Sequence, residues 1–140
     1  MSYQNDLILI VDDDEAVQQT MFTIIEHEIK CKVICTSNPK QAFEFLKNGD
    51  PTIIILDMQM PVMDGLTALK YFKTFPSTEN IPVIACTATA NKELLLNLVK
   101  LGINDYLVKP IDKTTFVEKI FKILRMVHHE EEVPEKEKPK

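Results

Sequence analysis

The chain contains no tryptophan and only three glycines in 140 residues. It therefore has no indole to stack on a flavin ring and no Ser/Thr/Gly-rich loop to cradle that cofactor's phosphate. Cysteine is scarce as well. Cys31, Cys35 and Cys86 are odd in number and form no CxxC pair, and no histidine stands at ligand spacing, which argues against a zinc site. They lie in apolar segments and read as reduced core thiols of a cytoplasmic protein. The amino-terminal MSYQNDLILIVDDD has no basic stretch ahead of a long apolar core, so neither a signal peptide nor a membrane span is expected. Basic residues are outnumbered, giving a net charge of -5, and there is no helix-turn-helix pattern, so direct nucleic-acid binding is not expected. Internal repeats are absent.

What is present is a soluble globular composition, 45% hydrophobic and 26% charged. A domain near this length buries roughly 68 to 70% of the surface its unfolded chain exposes, enough to fold without disulfides or a structural metal. Uninterrupted apolar runs at Leu7–Val11 and Ile53–Leu56 read as strands buried on both faces of a parallel sheet. Lys32–Thr36, Val83–Cys86 and Asp105–Val108 are the other three strands. Helical spacing follows each strand: Glu15 to about Ile29, the stretch opened by Ser37–Pro39 through Lys47, Asp64 to about Phe75, Asn91 to Leu101 closed by Gly102, and Asp112 to Met126. This alternation calls for an α/β fold, a doubly wound five-stranded parallel sheet in the order 2-1-3-4-5 with right-handed crossovers. The folded domain is expected over 1–126. The segment 127–140, nearly all charge and proline, is expected to be disordered.

The chemistry-bearing residues stand where such sheets place their sites, at the carboxyl ends of the strands. The first strand ends in Asp12 and Asp13, the third in Asp57, the fourth in Thr87, the fifth in Lys109. Asp14 and Glu15 have a local explanation as helix cap and dipole partner, but Asp12 and Asp13 do not. An isolated Asp57 would be read as a strand breaker; it is the company of the others that marks it. Three carboxylates meeting across the crevice between the first and third strands require raised pKa values or a cation. Hard oxygen ligands suit Mg2+, which completes its shell with waters and a phosphate oxygen. Lys109 and the Thr87 hydroxyl would neutralise and orient a phosphoryl group. Asp57 is the natural nucleophile, carrying the group as an aspartyl phosphate.

From about Asp6 to Met126 the sequence resembles the receiver domains of two-component response regulators. The likeness is carried by LILIVDDD, IIILDMQMPVMDG, PVIACTA and NDYLVKPI. The resemblance implies a flavodoxin-like (βα)5 fold, Asp57 as phosphoacceptor, and Mg2+ bound by the side chains of Asp13 and Asp57 and the backbone carbonyl of Gln59. Asp12 would act through the ion's water shell. Thr87 would be the switch hydroxyl, Lys109 the phosphate-binding lysine, and the Lys109-Pro110 bond cis. Tyr106 would be the switch aromatic, although a half-buried strand residue with a wet hydroxyl is the plainer alternative. Gln59 and Thr89 occupy the positions that modulate phosphoryl lifetime. Partners implied are a histidine kinase or histidine phosphotransfer protein, docking near Val17, Thr20 and the loop after Lys109, with core packing the equal alternative for Val17, and a downstream protein target reached through the fourth helix, fifth strand and fifth helix. No turnover beyond the chain's own phosphorylation and dephosphorylation is implied. The rivals are a degenerate receiver binding partners without phosphorylation, and a Mg2+-dependent phosphohydrolase of the haloacid dehalogenase type. The latter is expected to carry DxD at one strand end and a cap domain; here the acids are split between strands. His27, His128 and His129 read as solvated residues.

Overall fold

The computed structural model describes residues 2–60 and 64–129. Five parallel strands, β1 (Leu7–Val11), β2 (Lys32–Thr36), β3 (Ile53–Asp57), β4 (Val83–Thr87) and β5 (Asp105–Val108), form one sheet in the order β2-β1-β3-β4-β5. The helices are α1 (Glu15–Ile24), α2 (Pro39–Leu46), α3 (Gly65–Thr74), α4 (Lys92–Lys100) and α5 (Lys113–Val127). The expected order and alternation are those observed.

Because successive strand residues face opposite sides, the central runs split between two cores. Ile8, Ile10, Ile53, Ile55, Ile84 and Leu107 pack with Met21, Phe116, Ile120 and Leu124 from α1 and α5. Leu9, Val11, Ile54, Leu56, Val83 and Ala85 pack with Ala42, Ala68, Leu69, Phe72 and Leu98 from α2, α3 and α4. Every residue of β3 and β4 is buried, which explains why their sequences show no polar alternation. Each helix opens on a side-chain cap. Asp14, Asn38, Asp64, Asn91 and Asp112 all accept backbone N–H groups of the first turn. Gly102, at φ +102, ends α4 in the left-handed turn that glycine adopts without strain.

Five details differ from the sequence reading. The first helix is not uniform to Ile29: after Ile24 it widens into one π turn, Ile25–Ile29, closed by the Lys30 N–H donating to the Ile25 carbonyl at 2.7 Å. Lys30 then takes the left-handed conformation without being glycine, at φ 62. Cys31, just before the edge strand β2, and Cys35, on it, are half-buried, and only Cys86 is a fully buried thiol, its pKa pushed up to about 12 mainly by burial. His128 is not simply solvated: its Nε2 lies 3.0 Å from both carboxylate oxygens of Asp6, and its ring meets Tyr3 at 5.6 Å. This ties the end of α5 to the start of β1. The expected boundary at 126 is also passed, since α5 runs on to Val127; of the 127–140 tail, residues 130 onward, and the Pro61 to Met63 part of the third motif, lie outside the described residues.

Gly65 sets how closely α3 approaches the end of β3. A Cβ placed there would sit 2.4 Å from Met58 Cα and 2.5 Å from the Asp57 carbonyl oxygen, both backbone atoms that cannot swing aside. Gly65→Ala is therefore expected to cost about 2 kcal/mol. Urea denaturation measures it, and a loss below ~0.5 kcal/mol would show that the approach is not tight.

Candidate functional site

The parallel register brings Val11 opposite Leu56 and Asp57 opposite Cys86, so the residues just beyond β1, at the end of β3 and beyond β4 share one edge of the sheet. Carboxylate oxygens of Asp12, Asp13 and Asp57 lie within 4.8 Å of one another. Lys109, beyond the end of β5, reaches across to them. Its Nζ is 2.9 Å from Asp12 Oδ2 and 3.4 Å from Asp57 Oδ1. The Lys109-Pro110 bond that follows is cis.

Asp12 and Asp57 are 1% and 2% exposed, whereas Asp13 is open to solvent. Charges buried this deeply must be paired and hydrogen-bonded. Both oxygens of Asp12 are engaged: Oδ1 accepts the Asp14 N–H at 2.9 Å, and Oδ2 takes Lys109. Asp57 Oδ1 accepts the Gln59 N–H at 3.0 Å, while Oδ2 has no hydrogen bond to any described residue. Burial pushes the Asp57 carboxyl above its ordinary range and the Asp12 charge adds to this; the Gln59 N–H and Lys109 oppose it without cancelling it. Burial pulls the Lys109 ammonium down, but its hydrogen bonds and ion pairs with Asp12 and Asp57 together outweigh that and hold it above its ordinary value. Asp13 has no hydrogen bond or ion pair with a described residue. One ammonium thus faces three carboxylates, so the cluster is short of positive charge and offers oxygen donors only, the donor set that suits a hard divalent cation.

The remaining sequence-selected residues surround this centre with mixed results. Thr87 is fully buried at the tip of β4, but its hydroxyl is turned to its own loop, donating to the Thr89 carbonyl at 3.1 Å and accepting the Thr89 N–H at 3.3 Å. It makes no described bond to Asp57. Gln59 uses its backbone N–H on Asp57 and its side-chain oxygen to accept the Ala88 N–H at 3.2 Å, linking the loop after β3 to the loop after β4. The side chain of Thr89 is exposed and makes no described hydrogen bond. Tyr106 is half-buried on β5, its ring packed against the α2–α4 core and covered by the Lys119 ammonium 4.3 Å from the ring centroid. Lys119 also donates to the Tyr106 carbonyl and pairs with Asp105 at 2.9 Å. Of the suggested docking residues, Val17 packs partly on the core, whereas Thr20 is exposed. Two contributions were not read from sequence: Asp14, expected only as a helix cap, also anchors Asp12 through its N–H, and Gln18, not singled out, reaches the Asp12 carbonyl with its amide.

The doubly wound sheet thus carries an acid cluster at its switch point, faced by a lysine from just beyond its last strand. Comparison with known proteins supplies the class. Residues 8–121 match the family described as Response regulator receiver domain, and the chain belongs to that family. It is 31% identical to the chemotaxis protein CheY of Halobacterium salinarum over 84% of this chain and 95% of that one. It is also 34% identical to a stretch of the signal transduction histidine-protein kinase BarA of Escherichia coli, covering 76% of this chain and 11% of the kinase. Among solved structures, the signal receiver domain of a signal transduction histidine kinase from Syntrophus aciditrophicus superposes with a TM-score of 0.80 at 27% identity, covering 92% of this chain and 97% of that one. The chain is thus a receiver domain of two-component signalling. No helix among the described residues is long and apolar enough to cross a membrane.

Proposed function

We propose that this chain accepts a phosphoryl group on Asp57 from the phosphohistidine of a histidine kinase or histidine phosphotransfer protein, within a two-component system or phosphorelay of the cytoplasm. The observation that carries this reading is the buried Asp57 carboxylate, sharing Lys109 with Asp12 and leaving one oxygen unengaged. Asp13, Asp57 and the Gln59 backbone carbonyl would hold Mg2+, with Asp12 acting through water, and the bound ion would offset the charge on the carboxylates and on the transferring phosphoryl oxygens.

The chain's own residues do the rest. Asp57 Oδ2 attacks phosphorus in line with the imidazole nitrogen; the O–P bond forms as the P–N bond breaks, and the imidazole leaves with the electron pair. Lys109 is already at the carboxylate and shifts its ammonium toward the new phosphoryl oxygens. Thr87 exchanges the Thr89 carbonyl for a phosphoryl oxygen, drawing the loop after β4 toward Asp57. That loop leads into α4, and Lys119 couples Tyr106 to α5, so a pre-existing equilibrium of the α4–β5–α5 surface shifts. A downstream protein reads the changed surface. Gln59 and Thr89, at the mouth, tune how long the acyl phosphate survives. The chain is not an enzyme acting on outside substrates.

Incubation of the wild-type protein with a small phosphodonor and Mg2+ is expected to add the mass of one phosphate, lost slowly, and chelation of Mg2+ is expected to prevent it. Intact mass spectrometry provides the readout. No gain would favour a phosphorylation-independent interaction module. Repeated turnover of a phosphomonoester would favour the phosphohydrolase.

A further inference from the structure

Gln18 lies on α1, one helical turn past the Asp14 cap. Its Nε2 is 2.5 Å from the Asp12 carbonyl oxygen, 3.2 Å from that of Thr36 and 3.3 Å from Ser37 Oγ. An amide nitrogen has two hydrogens, so the short contact takes one and the other is shared. The ends of β1 and β2 are already joined without Gln18, by the Asp12 N–H donating to the Thr36 carbonyl at 3.0 Å. The bond to Asp12 does something that strand pairing does not. The Asp12 carbonyl and the Asp13 N–H belong to one planar peptide unit, so holding that oxygen fixes the plane from which Asp13 departs.

Asp13 depends on this more than its neighbours do. Asp12 is fixed by Asp14 and Lys109, and Asp57 by Gln59 and Lys109. The exposed carboxylate of Asp13 has no described partner, and its position is set through its backbone alone. Mg2+ tolerates little departure from octahedral geometry, so an acid held only through its main chain is a weak ligand unless that main chain is held in turn. We infer that Gln18 is a positioning residue for the divalent cation, orienting Asp13 through the Asp12–Asp13 peptide plane. This rests on reading the acid cluster as a Mg2+ site.

Titration of Mg2+ alone into the full chain by calorimetry tests it with two near-isosteric variants, Gln18→Met and Gln18→Glu. Gln18→Met removes both donors without changing charge, and its Mg2+ dissociation constant is expected to rise about tenfold. Gln18→Glu adds a negative charge near the cluster, which by charge alone would tighten Mg2+. It is expected instead to weaken binding, because its oxygens face the Asp12 and Thr36 carbonyls with nothing to donate. Either variant suffices if the other does not fold. Weaker Mg2+ binding in both supports the positioning role, whereas a constant within twofold of wild type in Gln18→Met, or tighter binding in Gln18→Glu, overturns it. A purely structural Gln18 would lower the metal-free melting temperature and leave the constant where it was. If the wild type itself takes no Mg2+, the parent reading fails instead, and the two failures are thereby told apart.

Discussion

Asp57→Asn protein incubated with a small phosphodonor and Mg2+ gains no mass, and in metal-free buffer at pH 7 it withstands more urea than the wild type. The first result follows from removal of the nucleophile. The second follows from electrostatics. Burial, with Asp12 alongside, raises the native pKa of Asp57 above the ordinary value of 3.8. A carboxyl that holds its proton more tightly when folded favours the native state at low pH, and that advantage is lost as pH rises from 3.8 through the raised native value. At pH 7 the wild type therefore carries an ionised carboxylate that costs it stability. Asparagine keeps an oxygen for the Gln59 N–H and has no charge to bury, for a gain of about 1 kcal/mol. The difference should narrow as pH falls through the raised native value and be gone below 3.8. Labelling that persists in the variant would move the phosphoacceptor elsewhere, and a less stable variant would refute the charge argument.

Lys109→Met should have the opposite sign and a larger size. Removing one partner of a buried ion pair costs about 3 to 5 kcal/mol because the other charge is stranded. Here the lysine side chain is 22% exposed while its two acids are almost fully enclosed, which points to the lower end, about 3 kcal/mol or about 10 °C in melting temperature. A cation whose native pKa lies above 10.5 contributes its full stabilisation below that pH and loses it only as pH rises through the native value, so the deficit is present across the neutral range. Saturating Mg2+ should restore much of the deficit by supplying the missing positive charge. Phosphorylation should be slowed at least ~100-fold even so, because no ammonium then meets the transferring group. Urea denaturation with and without Mg2+, alongside the mass assay, checks both. A loss under ~1 kcal/mol would mean that water, not Lys109, balances the acids.

The sheet and its carboxyl edge were legible because parallel strands buried on both faces cannot hide their composition. Ile53–Leu56 and Leu7–Val11 are apolar throughout, and the first polar residue after each is placed by topology alone. Asp12 and Asp57 were found in that way, and Lys109 from its place just after the fifth strand. Phe116, Ile120, Ile123 and Leu124 recur at helical period in the sequence, and they form the buried face of α5. What escaped depended on single contacts between distant segments. The π turn at Ile25–Ile29 reflects helical hydrogen bonding shifted by one residue, and isoleucines four apart suit either helix type. Gln18 reads as an ordinary polar helix residue until α1 is docked over the ends of β1 and β2. His128 looked like the start of a charged tail, yet Asp6 and Tyr3, more than a hundred residues earlier, receive its ring. Thr87 lay where expected, but which way a hydroxyl turns depends on local loop geometry that composition does not encode.

Lys109 and Asp12 are 97 residues apart along the chain, and the ammonium that quiets the acids follows the last strand to be made. A chain that has emerged only as far as α4 would carry three mutually repelling carboxylates at its half-built tip with no internal cation to restrain them. Completion of β5 brings in Lys109 and eases that repulsion in one step. The same charges that prepare the tip for its chemistry thus also favour the finished sheet over its shortened versions.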